Sequence, residues 1–178
     1  MADDLELLTL PYDSPGGQSL LSRLIAELGS SEWTRFRAAV AFLSASGTYD
    51  QLIDAIDKFA ADGGAVSLTV GADVFGPDGA GSDYEAVNLL LDRFASRETV
   101  SIHLYHERGR TFHPKVYLFD DVLEGRALAI VGSSNLSRGG LVNNIEANLV
   151  ARLNRSKENQ WAVFQRLDDC FKDYWTEA

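Results

Sequence analysis

An α/β layer fold, a mixed β-sheet flanked by helices on both faces, is predicted by three features of this sequence. Between residues 18 and 94, segments with helical spacing of apolar residues alternate with short apolar runs. From Val100 to Leu153, short strand-like runs follow one another with no room for helices between them. The tail from Lys157 carries one apolar stripe, as expected of a helix packed back on a sheet.

Each element has its own signal. Leu20, Leu21, Leu24, Ile25 and Leu28 recur at helical spacing after the breaker Pro15-Gly16-Gly17, predicting a helix from Gln18 to Leu28 that Gly29 ends. Phe36 to Leu43 is apolar and rich in small residues, which predicts a buried strand. Leu52, Ile53, Ile56 and Phe59 then mark a helix stopping at Gly63-Gly64. Val66 to Val70 is the next strand, Gly71 to Ser82 a glycine-rich loop, and Val87, Leu90, Leu91 and Phe94 place a third helix over Tyr84–Phe94. The consecutive strands are Val100–Tyr105, Pro114–Phe119, Ala127–Val131 and Asn144–Leu153, and their order in the sheet is left open. Trp161, Phe164, Leu167, Phe171 and Tyr174, with Trp175 beside them, form the stripe of the closing helix. Cys170 is the only cysteine, which excludes an intrachain disulfide; its spacing to Leu167 and Phe171 predicts a packed thiol.

The chain has 178 residues, 46% of them hydrophobic, enough for one core and one domain over 1–178. No apolar run approaches the ~20 residues of a membrane span. Met1-Ala2-Asp3-Asp4 is acidic where a signal peptide would be basic. The expectation is a soluble, cytoplasmic protein without membrane contact. A net charge of −10 argues against a polyanionic partner, but residues 103–115 hold His103, His106, His113, Arg108, Arg110 and Lys115 against the single acid Glu107. This run reads either as a focused positive cleft, with Arg108 and Arg110 on backbone phosphates, or as a solvated basic loop beside a strand.

The passage that carries chemistry is His113-Pro-Lys115-Val-Tyr-Leu-Phe-Asp120, followed by Gly132-Ser133-Ser134-Asn135 and by Glu146. A histidine and a lysine two apart on a strand share a face, so an imidazole nucleophile and a fixed positive charge can converge on one phosphate. Asp120 falls at the strand's far end, where bracing the structure is the expected role. Taken alone, the Gly-Ser-Ser-Asn run is a plain turn after a strand, and Arg138 either touches a substrate phosphate or is solvated.

Together these residues resemble the phospholipase D superfamily signature, His-x-Lys-x4-Asp followed by a Gly-Ser-x-Asn turn, with every position filled. Ser137-Arg138-Gly139-Gly140-Leu141 with Asn144 and Glu146 is similar to the nuclease branch, which includes stand-alone endonucleases and nuclease domains of restriction enzymes and helicases. Ala39-Val40-Ala41-Phe42-Leu43-Ser44 and Leu68-Thr69-Val70-Gly71 resemble the first two core strands, so the likeness runs from about Phe36 to the C-terminus. The segment between Asp120 and Gly132 is longer than in the smallest family nucleases, which leaves its path open.

The resemblance implies a metal-independent phosphodiesterase with no cofactor, most readily a DNA endonuclease, with RNA an open alternative. His113 would be the nucleophile of a phosphohistidine intermediate, Glu146 the acceptor for its second ring nitrogen, Lys115 and Asn135 the holders of the non-bridging oxygens, and Ser133 a further donor. Only one His-x-Lys motif is present, so a homodimer with an active site on its two-fold axis is expected, each His113 facing the other. No His/Cys spacing suggests zinc and no carboxylate set suggests a two-metal centre. A recognition or helicase domain, as in restriction-modification systems, is an expected partner if the chain is part of a longer protein. Two other functions fit the same motif: a phosphatidyl hydrolase or transferase, for which Val74-Phe75 is the one interfacial element, and an inactive nucleic-acid-binding or assembly module.

Overall fold

The computed structural model describes residues 4–10, 18–44, 49–72 and 81–176. The breaker Pro15-Gly16-Gly17 and most of the glycine-rich loop, Val74-Phe75 included, lie outside them. The elements are β1 (Leu5–Leu10), α1 (Leu20–Leu28), β2 (Arg35–Val40), α2 (Tyr49–Ala61), β3 (Ala65–Gly71), α3 (Tyr84–Phe94), β4 (Val100–Tyr105), β5 (Lys115–Asp121), β6 (Arg126–Gly132), β7 (Glu146–Asn154) and α4 (Glu158–Thr176), with a π-helical turn over Gly139–Asn143 before β7. The strands form one sheet in the order β1-β7-β6-β5-β2-β3-β4. The alternating half of the sequence supplies the parallel strands β2, β3 and β4, whose crossovers are α2 and α3. The consecutive-strand half supplies the antiparallel ladder β2-β5-β6-β7-β1.

Helices cover both faces, as the patterning predicts. Leu20, Leu24, Leu52, Ile56, Ala86 and Leu90 of α1, α2 and α3 are buried against one face, with Phe36, Tyr117, Phe119 and Ile130 of the sheet. On the other face Phe164 and Phe171 of α4 pack with Leu118, Ala127, Ala129, Leu153, Tyr105 and Phe112. Trp161 stacks on Phe164 at 4.3 Å and Tyr174 meets Phe112 edge-on at 5.0 Å, so the stripe is core. Cys170 departs from expectation: it is exposed, because it falls one step off the buried Phe164–Phe171 line.

Three features of the sheet go beyond or differ from the sequence reading. The strand β1 carries leucines on both of its faces, so no alternation marks it; only pairing with β7, from Leu5↔Ala151 to Leu10↔Glu146, makes it a strand. The predicted strand Phe36–Leu43 ends at Val40. Beyond it the chain leaves the ladder, Ala41 N–H donating to the Pro114 carbonyl at 2.9 Å and Leu43 bridging to Leu136. The Asp120–Gly132 segment, of open path in the sequence, is a hairpin: β5 and β6 run on to Asp121↔Arg126, leaving only residues 122–125 as turn.

Asp120 braces the structure, as its place at the far end of β5 suggests. Its carboxylate is 1% exposed and lies opposite Arg35 in register, receiving Arg35 Nε at 3.0 Å and Arg37 Nη2 at 2.9 Å. The same arginines reach Asp168 of α4, at 3.1 and 2.7 Å. Burial alone would raise the Asp168 carboxyl, but the Lys172 hydrogen bond and the Arg37 and Arg35 guanidiniums outweigh it and hold it below its ordinary value. Arg37 also lies over the Phe171 ring at 5.0 Å, so one buried ion cluster joins β2, β5 and α4. Breaking a buried pair by removing one charge strands the other, which costs about 3–5 kcal/mol. Asp120→Asn is therefore expected to lower unfolding stability by that order in urea titrations followed by circular dichroism.

Candidate active site

His113 stands just before β5 rather than on it. Its successor Pro114 has no N–H to give a ladder, so the strand begins at Lys115. The two side chains nevertheless converge: Lys115 Nζ is 2.9 Å from each ring nitrogen of His113 and 3.2 Å from its carbonyl oxygen. The imidazole is exposed while Lys115 is buried, an ammonium held beneath a reachable ring. Burial lowers the Lys115 pKa from its ordinary value, and the charge of Glu146 opposes that shift.

The Gly132–Asn135 run is a shaped turn. Tyr117, fully buried on β5, donates its hydroxyl to the Ser134 carbonyl at 2.9 Å, and buried Asn148 of β7 donates to Ser134 Oγ at 2.9 Å. Burial first, and the Glu146 charge second, push the Tyr117 phenol far up, so it remains a donor. At Gly132 any Cβ would lie 2.3 Å from both the Ala147 carbonyl and Asn148 Oδ1, which is why the strand can end there only with glycine. The turn then presents Asn135, whose Oδ1 accepts the Phe42 N–H at 3.2 Å. With its oxygen held, the Asn135 amide has its NH₂ left to donate. The π-helical turn closes over the back of Asn135 through Gly140, where a Cβ would lie 2.5 Å from the Asn135 carbonyl oxygen.

Glu146, at the start of β7, is bonded to Ser133 Oγ and receives Asn144 Nδ2 at 3.2 Å. Within one chain the Glu146 carboxylate is thus engaged by Ser133 and Asn144, and among the described residues the hydrogen-bonding neighbour of the His113 imidazole is Lys115. Ser133 Oγ also accepts from the Ala147 N–H at 3.1 Å.

The remaining cations are dispersed. Glu107 and Arg110 form a tight hairpin, with Arg110 paired to Glu107 at 3.2 Å. Among the described residues the side chains of Arg108 and Arg138 make no hydrogen bond or ion pair, and both residues are exposed. His103 packs on Trp175 at 5.0 Å, away from the motif, and His106 is exposed. Asp120 lies at the opposite end of β5. Tyr117, Ser134, Asn148 and Phe42 are the site-building residues that the sequence reading did not single out. For Tyr117 and Asn148 the available signal was a polar atom on a strand position that alternation buries. Among the described residues no group of three or more His, Cys, Asp or Glu side chains is placed to hold a metal, and no helix is long and apolar enough to cross a membrane.

A family model described as "Cardiolipin synthase, PLD-like domain" matches residues 24–175, reaching further upstream than the motif resemblance. This chain belongs to the phospholipase D superfamily, a superfamily of phosphodiesterases. Comparison with curated proteins finds no match. Among solved structures, this phospholipase D-like chain is similar in fold to NucT from Helicobacter pylori, with a TM-score of 0.64, 16% identity and 94% and 95% of the two chains covered. It is likewise similar to Nuc from Salmonella typhimurium, a phospholipase D family member, with a TM-score of 0.60, 15% identity and 94% and 93% covered. The phosphatidylserine synthase of Haemophilus influenzae gives a TM-score of 0.66 at 14% identity, with 96% of this chain but 39% of that one covered.

The Lys115–Glu146 electrostatics carry a pH prediction. A lysine with a lowered pKa loses its ammonium as pH rises through that value. Glu146 supports the charge, so Glu146→Gln is expected to move the Lys115 transition to still lower pH. Side-chain NMR titration of Lys115 in both proteins checks this, and a transition that stays or rises would rule out the electrostatic support.

Proposed function

We propose that this chain is a metal-independent phosphodiesterase, a DNA endonuclease working through a phosphohistidine, whose active site is completed by a second copy across a two-fold axis. The observation that carries the reading is the exposed His113 imidazole resting on the buried Lys115 ammonium. Asn135, with its NH₂ free to donate, adds to it. One ring nitrogen of His113 attacks phosphorus; the N–P bond forms as the bond to the leaving oxygen breaks. Lys115 and Asn135 hold the non-bridging oxygens, whose charge must be stabilised in the transition state. The leaving oxygen takes its proton from the second copy's imidazole. That imidazole then accepts a proton from water as the water attacks phosphorus and the N–P bond opens.

Ser133 then acts through Glu146, and the carboxylate proposed to face each imidazole is the second copy's Glu146, still bonded to its own Ser133. Arg108 and Arg138, exposed and unpaired among the described residues, are the cations proposed for backbone phosphates; Arg110 is partly neutralised by Glu107. On this reading 1–178 is one nuclease domain, cytoplasmic, with a recognition or helicase domain as its partner. Phosphatidyl transfer is the second reading, favoured by the lipid-synthase description of the matched family model and by the fold of the phosphatidylserine synthase.

Supercoiled plasmid in excess EDTA tests the reaction: wild type is expected to nick it, and His113→Ala to lose at least about a thousandfold in rate. Cleavage that survives in His113→Ala would remove the histidine mechanism. No cleavage by wild type, with release of headgroup from phosphatidylglycerol vesicles, would establish the lipid reading instead.

An open apolar patch supports the two-fold pairing. Leu7, Leu149 and Val131 are adjacent in register across β1, β7 and β6, and all three are exposed on the sheet face whose other end α4 covers. Val131 is two residues from Ser133, so the patch adjoins the site. An apolar surface is self-complementary, as an isologous interface requires. Leu149→Asp is expected to yield a folded monomer by light scattering and to lose cleavage along with the dimer.

A further inference from the structure

We infer that Phe42 is a positioning residue of this site, one that sets the imidazole of His113 and the amide of Asn135 from a single point; the inference rests on the phosphodiesterase reading above. Three contacts converge on this residue. Its ring meets the His113 ring edge-on, at 75° and 5.8 Å between centroids. The Lys115 ammonium is 6.0 Å from the same ring's centroid. Its N–H donates to Asn135 Oδ1 at 3.2 Å.

Phe42 belongs to neither of the two apolar clusters formed by the described residues, although it is aromatic and half-buried. An aromatic ring outside the core that packs on the reactive imidazole does little for folding and much for orientation. The flanking backbone is anchored on both sides. Ala41 N–H is held by the Pro114 carbonyl at 2.9 Å, Leu43 N–H by Ser82 Oγ at 3.3 Å, and the Leu43 carbonyl accepts from Asp83 N–H at 2.7 Å. Ser44 N–H donates to Leu136 at 3.1 Å. The ring therefore projects from a fixed stretch of chain between the residue preceding Lys115 and the residue following Asn135.

Two consequences differ in origin. The ring limits the tilt of an otherwise exposed imidazole, whose hydrogen-bonding neighbour among the described residues is Lys115. The main-chain N–H decides which end of the Asn135 amide faces the substrate, because an amide whose oxygen is taken presents its NH₂. Substituting Phe42 removes the first and leaves the second, so the two can be separated.

The experiment uses Phe42→Leu and Phe42→Tyr with two readouts. The first is the imidazole NMR spectrum of His113 without substrate, which does not depend on turnover. The second is hydrolysis of bis(4-nitrophenyl) phosphate, a diester with no base on which Phe42 could stack. Phe42→Leu is expected to change the ring-nitrogen shifts of His113 and to lower kcat by about tenfold or more, with KM within about twofold. Phe42→Tyr restores both towards wild type. If Phe42→Leu does not fold, Phe42→Met, unbranched and of similar reach, is read in its place. Unchanged His113 resonances in the folded variant would overturn the inference, as would a loss borne by KM alone. If wild type turns over no diester, the phosphodiesterase reading fails while the NMR readout still decides whether Phe42 positions His113.

Discussion

A carboxylate with 1% exposure at the middle of a sheet has to be neutralised, and most of this structure follows from how Asp120 meets that demand. The two arginines that satisfy it lie on β2, at Arg35 directly across from Asp120 and at Arg37 two residues on. Their spacing is compatible with one register of β2 against β5, since a slip of one residue would turn both guanidiniums to the opposite face. Fixing the register at that end fixes it at the other, where Val40 faces Lys115. The end of β5 that carries the candidate site is thus held from some five residues away by this ion cluster. Asp168 extends the same cluster into α4 and so docks the second helical layer.

At the reactive end the problem is reversed, because a cation must be kept charged and unneutralised so that it can meet an anion. Lys115 is buried and, among the described residues, makes no ion pair; it is bonded to His113, and Glu146 supports it through space. Glu146 is itself occupied by Ser133 and Asn144. The lysine thus lies against the exposed imidazole, and the Glu146 charge acts on it without a direct ion pair. In a chain carrying −10, the proposed anion binding rests on this local arrangement rather than on total charge.

The sheet's two halves were legible because their signals are local: helical spacing between strands for the parallel half, hairpin-length connections for the antiparallel half. The strand β1 was not, since Leu5 and Leu7 stay exposed while Leu8 is buried, and its pairing with β7 spans most of the chain. The motif residues were legible through their spacing, and the bracing role of Asp120 through its position. The orientation of Glu146 was not, because a sequence shows that a carboxylate is near the site but not which donors reach it first. Phe42 was hidden for a related reason. It sits inside a run that reads as ordinary buried strand, and its role depends on the chain leaving the ladder after Val40 to meet Leu136.

In-line displacement at phosphorus places the nucleophile and the leaving oxygen on opposite sides of the reacting centre. A general acid must therefore stand opposite His113. Lys115 lies against His113 itself, Asn135 is tied through Phe42 to the same side, and Ser133 is spent on Glu146. In the proposed mechanism an equivalent imidazole brought by symmetry takes that position, and a two-fold axis through the phosphate supplies it without any further residue. The same axis gives the apolar end of the β1-β7-β6 face something to cover it. On the proposed mechanism, one partner, a second copy of this chain, would serve both the chemistry and the exposed apolar surface.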